Sequence, residues 1–274
     1  MNVVANGVQL HVQRLGHTPG RSPVVVFLHG LVIDNLSSLY YSLANPVAEA
    51  GADAILYDLR GHGLSACPRS GYTIDDSVGD LLALLDALGI DEPVHLVGHS
   101  YGASIALRAG LCSPARVASL VLIEPHCSES ADGGAWVEDI ADLLTANALT
   151  FEHTHLAEDD SALGQRRARP FRAANDLLNG TTLVEDVSAA PAFSPGELAD
   201  LAVPVLSVWG EHTDLAESAM SLAASLPGGR HEVVAGVAHS VLRDETPVVL
   251  DLLLAWLAEM CPSVGPSIDL EATG

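Results

Sequence analysis

Basic residues are scarce in this chain of 274 residues, and lysine does not occur in it. Lys and Arg together number 12, all of them Arg, against 35 Asp and Glu residues, so the formal net charge is −23. A surface this acidic repels the phosphates of nucleic acids and of anionic lipids. We therefore expect neither a nucleic acid nor a membrane as a partner, while the sequence leaves the oligomeric state open.

Cysteine is also rare, and long apolar runs are missing. The 4 cysteines form no C-x-x-C pair, and no apolar run reaches the roughly 20 residues of a membrane span. The first residues show neither the basic nor the apolar region of an export signal. We expect a cytoplasmic protein with reduced thiols. Because no cluster of metal-binding side chains is visible, we expect no metal and no cofactor.

Short apolar runs alternate with helical patterns, which predicts an α/β fold with a mainly parallel central sheet flanked by helices. Residues 8–14 alternate between apolar and polar types, which predicts an antiparallel hairpin at the edge. The runs expected to be buried strands are Val24–Leu28, Ala54–Tyr57, Val94–Val97, Leu120–Ile123, Val205–Val208 and Val233–Val234.

Two helices have recognisable beginnings. Thr73 and Asp76 predict a capping box before a helix over 74–88, and Thr246 followed by Pro247 predicts the cap of another. Residues 125–200 hold amphipathic pieces but no convincing strand, and a structureless loop of that length is unusual. We therefore expect a helical lid over 125–200, inserted between strands 6 and 7. The core domain is then 1–124 with 201–262, and 263–274 is a disordered tail.

The segment Gly98-His99-Ser100-Tyr101-Gly102 follows one of the predicted strands and precedes a helical pattern. This G-x-S-x-G pattern in a strand-turn-helix frame exposes the serine hydroxyl at a sharp turn. The first helical N–H groups, beginning with Tyr101, would face a developing oxyanion. Ser100 is therefore the candidate nucleophile, the alternative being a serine that merely occupies a tight turn.

With Phe-Leu-His-Gly at 27–30 and Asp-Leu-Arg-Gly-His-Gly at 58–63, this motif makes the chain resemble the α/β-hydrolase superfamily over nearly its whole length. The resemblance implies an α/β-hydrolase fold and a serine hydrolase. It implies a second oxyanion donor in the backbone N–H of Leu31, or alternatively of Val32. It also implies that Arg60 and His62 are structural.

The resemblance places the general base at His239, which follows the last short strand. The chain order of serine before histidine agrees with that family. Four other histidines on loops near the expected site are weaker alternatives: His29, His99, His126 and His212.

The acid of the triad is less clear from the sequence. The common family pattern is Trp-Gly-x-x-Asp, but here Thr213 stands in the place of the acid and Asp214 follows one residue later. Glu124 comes directly after the preceding strand, where some family members carry their acid. We favour Glu124 and keep Asp214 as the alternative. The non-catalytic interpretations are a carboxylate bonded to backbone for Glu124 and a helix cap for Asp214.

A Ser-His-acid triad with an oxyanion hole performs acyl transfer through an acyl-enzyme. We expect hydrolysis of a carboxylic ester or thioester, with lactones, carbon–carbon bonds and cofactor-free haloperoxidase chemistry as alternatives. Relatives with a nucleophilic aspartate, namely dehalogenases and epoxide hydrolases, are disfavoured by Ser100. A catalytically silent receptor or scaffold of the same fold is the alternative outside enzymes.

The stretches 29–38 and 122–125 most resemble stand-alone thioesterases of the polyketide type. That resemblance implies release of an acyl or polyketide chain, delivered as a small-molecule acyl substrate or bound to a carrier. Arg169, in the basic stretch 166–172, would then meet a carboxylate or the phosphate of the carrier. Trp136, Phe151 and Phe171 would line an acyl pocket, unless they only attach the lid to the core.

Overall fold

The structure, a computed structural model, describes residues 1–16, 22–126, 172–191, 193–226 and 228–261. Its central element is a sheet of eight strands in the order β1-β2-β4-β3-β5-β6-β7-β8. The strands are β1 (Asn2–Ala5), β2 (Val8–Leu15), β3 (Val24–Leu28), β4 (Asp53–Tyr57), β5 (Val94–His99), β6 (Val117–Ile123), β7 (Val205–Gly210) and β8 (Arg230–Val234).

The two N-terminal strands form the antiparallel edge hairpin that the sequence predicts, and β2 also pairs antiparallel with β4. Every pair from β4 through β3 to β8 is parallel. Apart from β3, the strands of the parallel part are longer than the predicted apolar runs, most clearly in β8. Its first three residues, 230–232, are polar but still pair with β7, and a pattern of apolar residues does not reveal them.

Helices cover both faces of the sheet. Besides a single 3-10 turn at Pro114–Arg116, the helical segments are α1 (Ser37–Leu39, Tyr40–Ala44 and Asn45–Glu49 in succession), α2 (Ile74–Ala87), α3 (Tyr101–Cys112), α4 (172–180), α5 (Leu183–Ser188), α6 (Pro195–Ala199), α7 (Ala216–Ser225), α8 (Val241–Asp244) and α9 (Thr246–Met260). Within the described ranges, none of these helices has the length and apolar character needed to cross a bilayer.

The capping box of Thr73 and Asp76 at the start of α2 is confirmed. The predicted cap at Thr246 is wrong, because Glu245 takes that place and makes no side-chain cap. Thr246 is already helical, and its hydroxyl donates to the carbonyl of Leu242 in α8. Because α8 leads almost directly into α9, the hydroxyl of Thr246 bonds to a carbonyl of the preceding helix instead of capping α9.

Alternate residues of each strand point to opposite faces of the sheet. In β3, Val26 belongs to the apolar cluster shared with α2 and α3, whereas Val25 and Phe27 belong to the cluster shared with α1 and α9. This two-faced burial explains why β3 and β4 are apolar runs without alternation.

Between β6 and β7 the described residues form α4, α5 and α6 and contain no strand. Leu177 of α4 and Leu183 of α5 are buried in the cluster on the α2–α3 face. Asp186 of α5 accepts the backbone N–H of Tyr72 at 2.9 Å. The division into a core and a lid stays a prediction, since residues 127–171 and the tail 263–274 lie outside the described residues.

A buried ion pair ties the loop after β4 to α2. The guanidinium of Arg60 donates from Nε to Oδ2 of Asp80 at 2.7 Å and from Nη2 to Oδ1 at 2.5 Å. The side chains of Arg60 and Asp80 are 7% and 2% exposed. Asn6, in the turn between β1 and β2, donates to the same carboxylate. Arg60 is thus structural, as the sequence predicts.

We expect the Asp80→Ala variant to lose about 3–5 kcal/mol in free energy of unfolding, because it leaves the Arg60 guanidinium buried without its counter-charge. Urea unfolding measures this loss. The control is Asp86→Ala, which removes the exposed partner of Arg116 and should cost less than about 1 kcal/mol. Equal losses in the two variants would contradict the structural role given to the buried pair.

Candidate active site

Ser100 lies at the turn between β5 and α3, with φ +53° and ψ −120°. Two glycines permit this turn. A Cβ on Gly98 would lie 2.4 Å from Cα of Ala103, and one on Gly102 would lie 2.2 Å from the carbonyl oxygen of Leu28. Both distances are far below van der Waals contact. The sharp strand-turn-helix element that the sequence predicts is therefore present, with a strained residue at its apex.

The loop that follows β3 passes beside this turn, and the backbone N–H groups along it differ in their partners. Val32, at φ +67°, donates its N–H to Nε2 of His62 at 2.8 Å. The N–H groups of Leu31 and Tyr101 have no hydrogen-bond partner within the described residues. Of the two residues considered for the second oxyanion donor, Leu31 is thus the one whose N–H is available.

Two aspartates accept three further N–H groups of this loop. Asp34 accepts the N–H of Gly30 at 2.7 Å and that of Asn35 at 2.8 Å. Asp58 accepts the N–H of Leu36 at 2.9 Å. Burial alone would raise the pKa of Asp34, but hydrogen bonds and nearby histidines, His99 among them, lower it below its usual range. The carboxylate that shapes the loop is therefore ionised.

Two buried histidines, His29 and His62, form hydrogen bonds to backbone groups of the loops that follow β3 and β4. The ring of His62 contacts the carbonyl of Arg60 through Nδ1 at 2.8 Å and accepts from Val32 through Nε2. The ring of His29 contacts the carbonyl of Gly30 through Nδ1 and accepts the N–H of Leu59 through Nε2. Each ring thus has one donor and one acceptor role, which only the neutral form satisfies.

Burial lowers the pKa of His62 to about 4, and the neighbouring His29 adds to this effect. Burial also lowers the pKa of His29. Because both nitrogens of His29 are engaged in the loop, this histidine cannot serve as the general base considered for it.

Glu124 is fully buried and stands directly after β6, at φ +53°. Its Oε1 accepts the backbone N–H of Gly210 at 2.5 Å, and its Oε2 lies 3.1 Å from Nδ1 of His239. Asp214, whose side chain is 71% exposed, has its Oδ1 at 3.8 Å from the same nitrogen. Of the two candidate acids, Glu124 makes the shorter and the buried contact.

His239 stands in the loop after β8, with its side chain 34% exposed. Its ring centroid lies 6.2 Å from that of His99, the residue before Ser100. Burial lowers the pKa of His239, but the hydrogen bond and charge of Glu124, with a smaller effect of Asp214, outweigh this and raise it above the ordinary value. The carboxylates therefore favour the protonated imidazole.

The other histidines considered as bases are placed differently. A carboxylate oxygen of Asp34 lies 3.8 Å from Nδ1 of His99, and one of Glu211 lies 3.9 Å from Nε2 of His212. Burial lowers the pKa of His126. The predicted pocket residues Trp136, Phe151, Arg169 and Phe171 lie outside the described residues. In the part of the chain that is described, no group of three His, Cys, Asp or Glu side chains could hold a metal ion.

Sequence reasoning does not identify Thr213 as part of this cluster. Its hydroxyl donates to Oε2 of Glu124, the same oxygen that His239 contacts. The available signal is its position, since it stands where the common family pattern has an aspartate.

The sequence model of the alpha/beta hydrolase fold family matches residues 23–246, which is more than half of the chain. The chain belongs to the alpha/beta hydrolase fold family. The predicted fold class is thereby confirmed, together with the sheet and its flanking helices.

Curated relatives within this family include epoxide hydrolase 2 from Siraitia grosvenorii, 40% identical over 129 residues that cover 45% of this chain and 38% of the relative. The lipase LipV from Mycobacterium tuberculosis is 37% identical over 142 residues, covering 51% and 49%. The chain thus spans less than half of the length of these two relatives. An enol-lactonase structure from Burkholderia xenovorans aligns with a TM-score of 0.71 at 20% identity, covering 94% of this chain and 100% of that one.

The free energy of unfolding should depend on pH because of the neutral, buried histidines that bond to the loop after β3. Because the folded pKa of His62 is about 4 against an ordinary value of 6.5, its contribution is complete above pH 6.5 and is lost as the pH falls toward 4. For His62 alone, linkage predicts a loss of about 2 kcal/mol between pH 7.5 and pH 5. Urea unfolding at these two pH values measures it.

The His62→Asn variant should be less stable at pH 7.5 and show a smaller loss on acidification. The exposed His212, replaced in the His212→Asn control, should leave the wild-type dependence intact. An unchanged pH dependence in His62→Asn would contradict the neutral, buried role of His62.

Proposed function

We propose that the protein is a serine hydrolase that cleaves a carboxylic ester or thioester through an acyl-enzyme on Ser100. His239 acts as general base and Glu124 as the acid that orients it. The observation that carries this proposal is the 3.1 Å contact between the buried carboxylate of Glu124 and Nδ1 of His239. His239 also lies near the strained turn at Ser100, since its ring centroid is 6.2 Å from that of the preceding residue, His99. A triad is recognised by such geometry and roles rather than by chain position.

In this mechanism the bond from Nδ1 of His239 to Glu124 leaves Nε2 free to take the proton of the Ser100 hydroxyl. The serine oxygen attacks the acyl carbon, and the carbonyl oxygen becomes an oxyanion. The protonated His239 then gives its proton to the leaving group. Water repeats the sequence in the second half, releasing the acid and restoring the serine.

The oxyanion would be bound by the N–H groups of Leu31 and Tyr101, neither of which has a hydrogen-bond partner in the described part of the chain. Such preorganised donors are worth about 10²–10³ in turnover in other hydrolases. The hydrogen bonds of Asp34, Asp58 and His62 support this role, because they use the neighbouring N–H groups and fix the shape of the loop.

Ser100 separates the proposal from epoxide hydrolysis, the activity named for one of the curated relatives. That chemistry, in the resemblance described above, depends on a nucleophilic aspartate, and a serine stands in its place here. The lipase relative agrees with ester hydrolysis. A thioester substrate, as in chain release from a carrier, is the finer form of the proposal and is supported by the resemblance of residues 29–38 and 122–125.

Turnover on a matched panel of acyl oxygen esters, thioesters and lactones tests the proposal. We expect hydrolysis of esters or thioesters that falls at least about 10³-fold in Ser100→Ala, because this variant lacks the hydroxyl on which the acyl-enzyme forms. The control Ser113→Ala, at the far end of α3, should retain full activity.

Preference for thioesters would support the chain-release form. Preference for lactones would keep the triad and exclude that form. Absence of Ser100-dependent turnover across the panel would overturn the proposal in favour of carbon–carbon bond cleavage, haloperoxidase chemistry or a silent receptor.

Replacing the two carboxylates near His239 should have unequal effects. Glu124→Gln should lower kcat by about 10⁴-fold, the size seen when a triad acid loses its charge. Asp214→Asn, the matched control for an exposed carboxylate 3.8 Å away, should lower it less than about 10-fold. Steady-state kinetics of both variants, compared on the alkaline plateau of each pH profile, measure this. A larger loss in Asp214→Asn would assign the acid to Asp214 instead.

The pH profile of kcat/KM should also be affected more strongly by Glu124 than by Asp214. The base must be neutral to act, so activity rises with pH through the raised pKa of His239. Because Glu124 causes most of that increase, the acidic limb of kcat/KM should shift to lower pH in Glu124→Gln. The shift in Asp214→Asn should be smaller, and a profile unchanged in both variants would contradict the electrostatic coupling.

A further inference from the structure

Thr213 lies in the loop between β7 and α7, and its hydroxyl makes two hydrogen bonds of opposite sense. It accepts the backbone N–H of Leu215 at 3.1 Å and donates to Oε2 of Glu124. A hydroxyl has only one proton to donate. Since the carboxylate can only accept, the threonine proton is directed at Glu124, and the bond from Leu215 fixes the orientation of the hydroxyl.

We propose that Thr213 is a positioning residue for the triad, which holds Oε2 of Glu124 at the distance that His239 requires. This inference rests on the proposed function, because it acts through the Glu124–His239 pair. Without the threonine hydroxyl, the backbone N–H of Gly210 would hold only Oε1. Oε2 would then be placed by His239 alone, so the carboxylate could rotate about its last torsion.

The contacts of residues 210–213 lie next to both the acid and the base. The backbone N–H of His212, next to Thr213, donates to the carbonyl of Val237 in the histidine loop. A Cβ on Gly210 would lie 2.4 Å from the carbonyl oxygen of Ala238. The segment 210–213 therefore touches Glu124 on one side and the loop of His239 on the other, and Thr213 is its only side chain that bonds to the acid in the described residues.

A purely structural role is the competing explanation, since the bond from Leu215 to Thr213 also closes the turn before α7. Three variants separate the two roles. Thr213→Val keeps the shape and removes the hydroxyl, Thr213→Ser keeps the hydroxyl, and Thr213→Ala repeats the removal without β-branching. Urea unfolding of each variant reports whether the loop still folds.

The readout is phosphonylation of Ser100 by a fluorophosphonate, which needs no knowledge of the natural substrate. The serine oxygen forms a bond to phosphorus, fluoride leaves, and the serine proton passes to His239. We expect the maximal labelling rate to fall about 10-fold in Thr213→Val and in Thr213→Ala, with unchanged half-saturation, as for loss of a hydrogen bond to a charged group. Thr213→Ser should restore the rate to within about 3-fold of wild type.

A double-mutant cycle with Glu124→Ala decides whether Thr213 acts through the carboxylate. In the Glu124→Ala background, Thr213→Val should cause no further loss, because the hydroxyl no longer has an acid to hold. If Thr213 acted independently of Glu124, the fold losses in labelling rate of the two single variants would multiply in the double variant. Multiplied losses, a full rate in both Thr213→Val and Thr213→Ala, or failure of Thr213→Ser to restore labelling would each overturn the inference.

The same variants distinguish a failure of the proposal for Thr213 from a failure of the proposed function. If Glu124→Ala labels as fast as wild type, the assignment of the acid is wrong and the role of Thr213 is overturned with it. If Glu124→Ala is slow while Thr213→Val is unaffected, the triad stands and only the role of Thr213 is lost. If wild-type Ser100 is not labelled faster than Ser113, neither proposal survives.

Discussion

The carboxylate of Glu124 sets the constraint on which the rest of the site depends. A carboxylate this deeply buried is costly unless donors surround it. Its donors come from two loops: the N–H of Gly210 and the hydroxyl of Thr213 after β7, and the imidazole of His239 after β8. Meeting the hydrogen-bonding needs of one charge therefore brings the ends of three neighbouring strands together and fixes the orientation of the imidazole.

The parallel sheet makes this arrangement possible, because the carboxyl ends of its strands lie along one edge. Ser100 directly follows β5, Glu124 directly follows β6, and His239 follows β8 along that edge. On the other side of Ser100, the loop after β3 is shaped by hydrogen bonds to Asp34 and His62. Within the described residues, the N–H groups of Leu31 and Tyr101 have no hydrogen-bond partner, and these two are the ones that the proposed mechanism needs.

Much of this could be predicted from the sequence because local rules are strict there. The turn at Ser100 requires glycine at 98 and 102, since a Cβ at either position would collide with backbone. The strands β3 and β4 could be recognised from their apolar runs because both of their faces are buried. The polar start of β8 could not be predicted, because it is determined by pairing with β7. The bond from Thr246 to the preceding helix could not be predicted either, because it depends on the position of α8.

The choice between Glu124 and Asp214 depended on distances across the sheet, which residue spacing does not contain. Spacing also could not show that Thr213, in the place of the usual aspartate, bonds to the carboxylate of Glu124.

The central claim is that Glu124 and not Asp214 controls the charge of His239. The most direct measurement is an NMR titration of the His239 ring in the wild type, in Glu124→Gln and in Asp214→Asn. We expect a pKa of His239 above the ordinary value in the wild type, a clear decrease in Glu124→Gln and a smaller one in Asp214→Asn. A pKa that falls in Asp214→Asn but stays unchanged in Glu124→Gln would contradict the central claim.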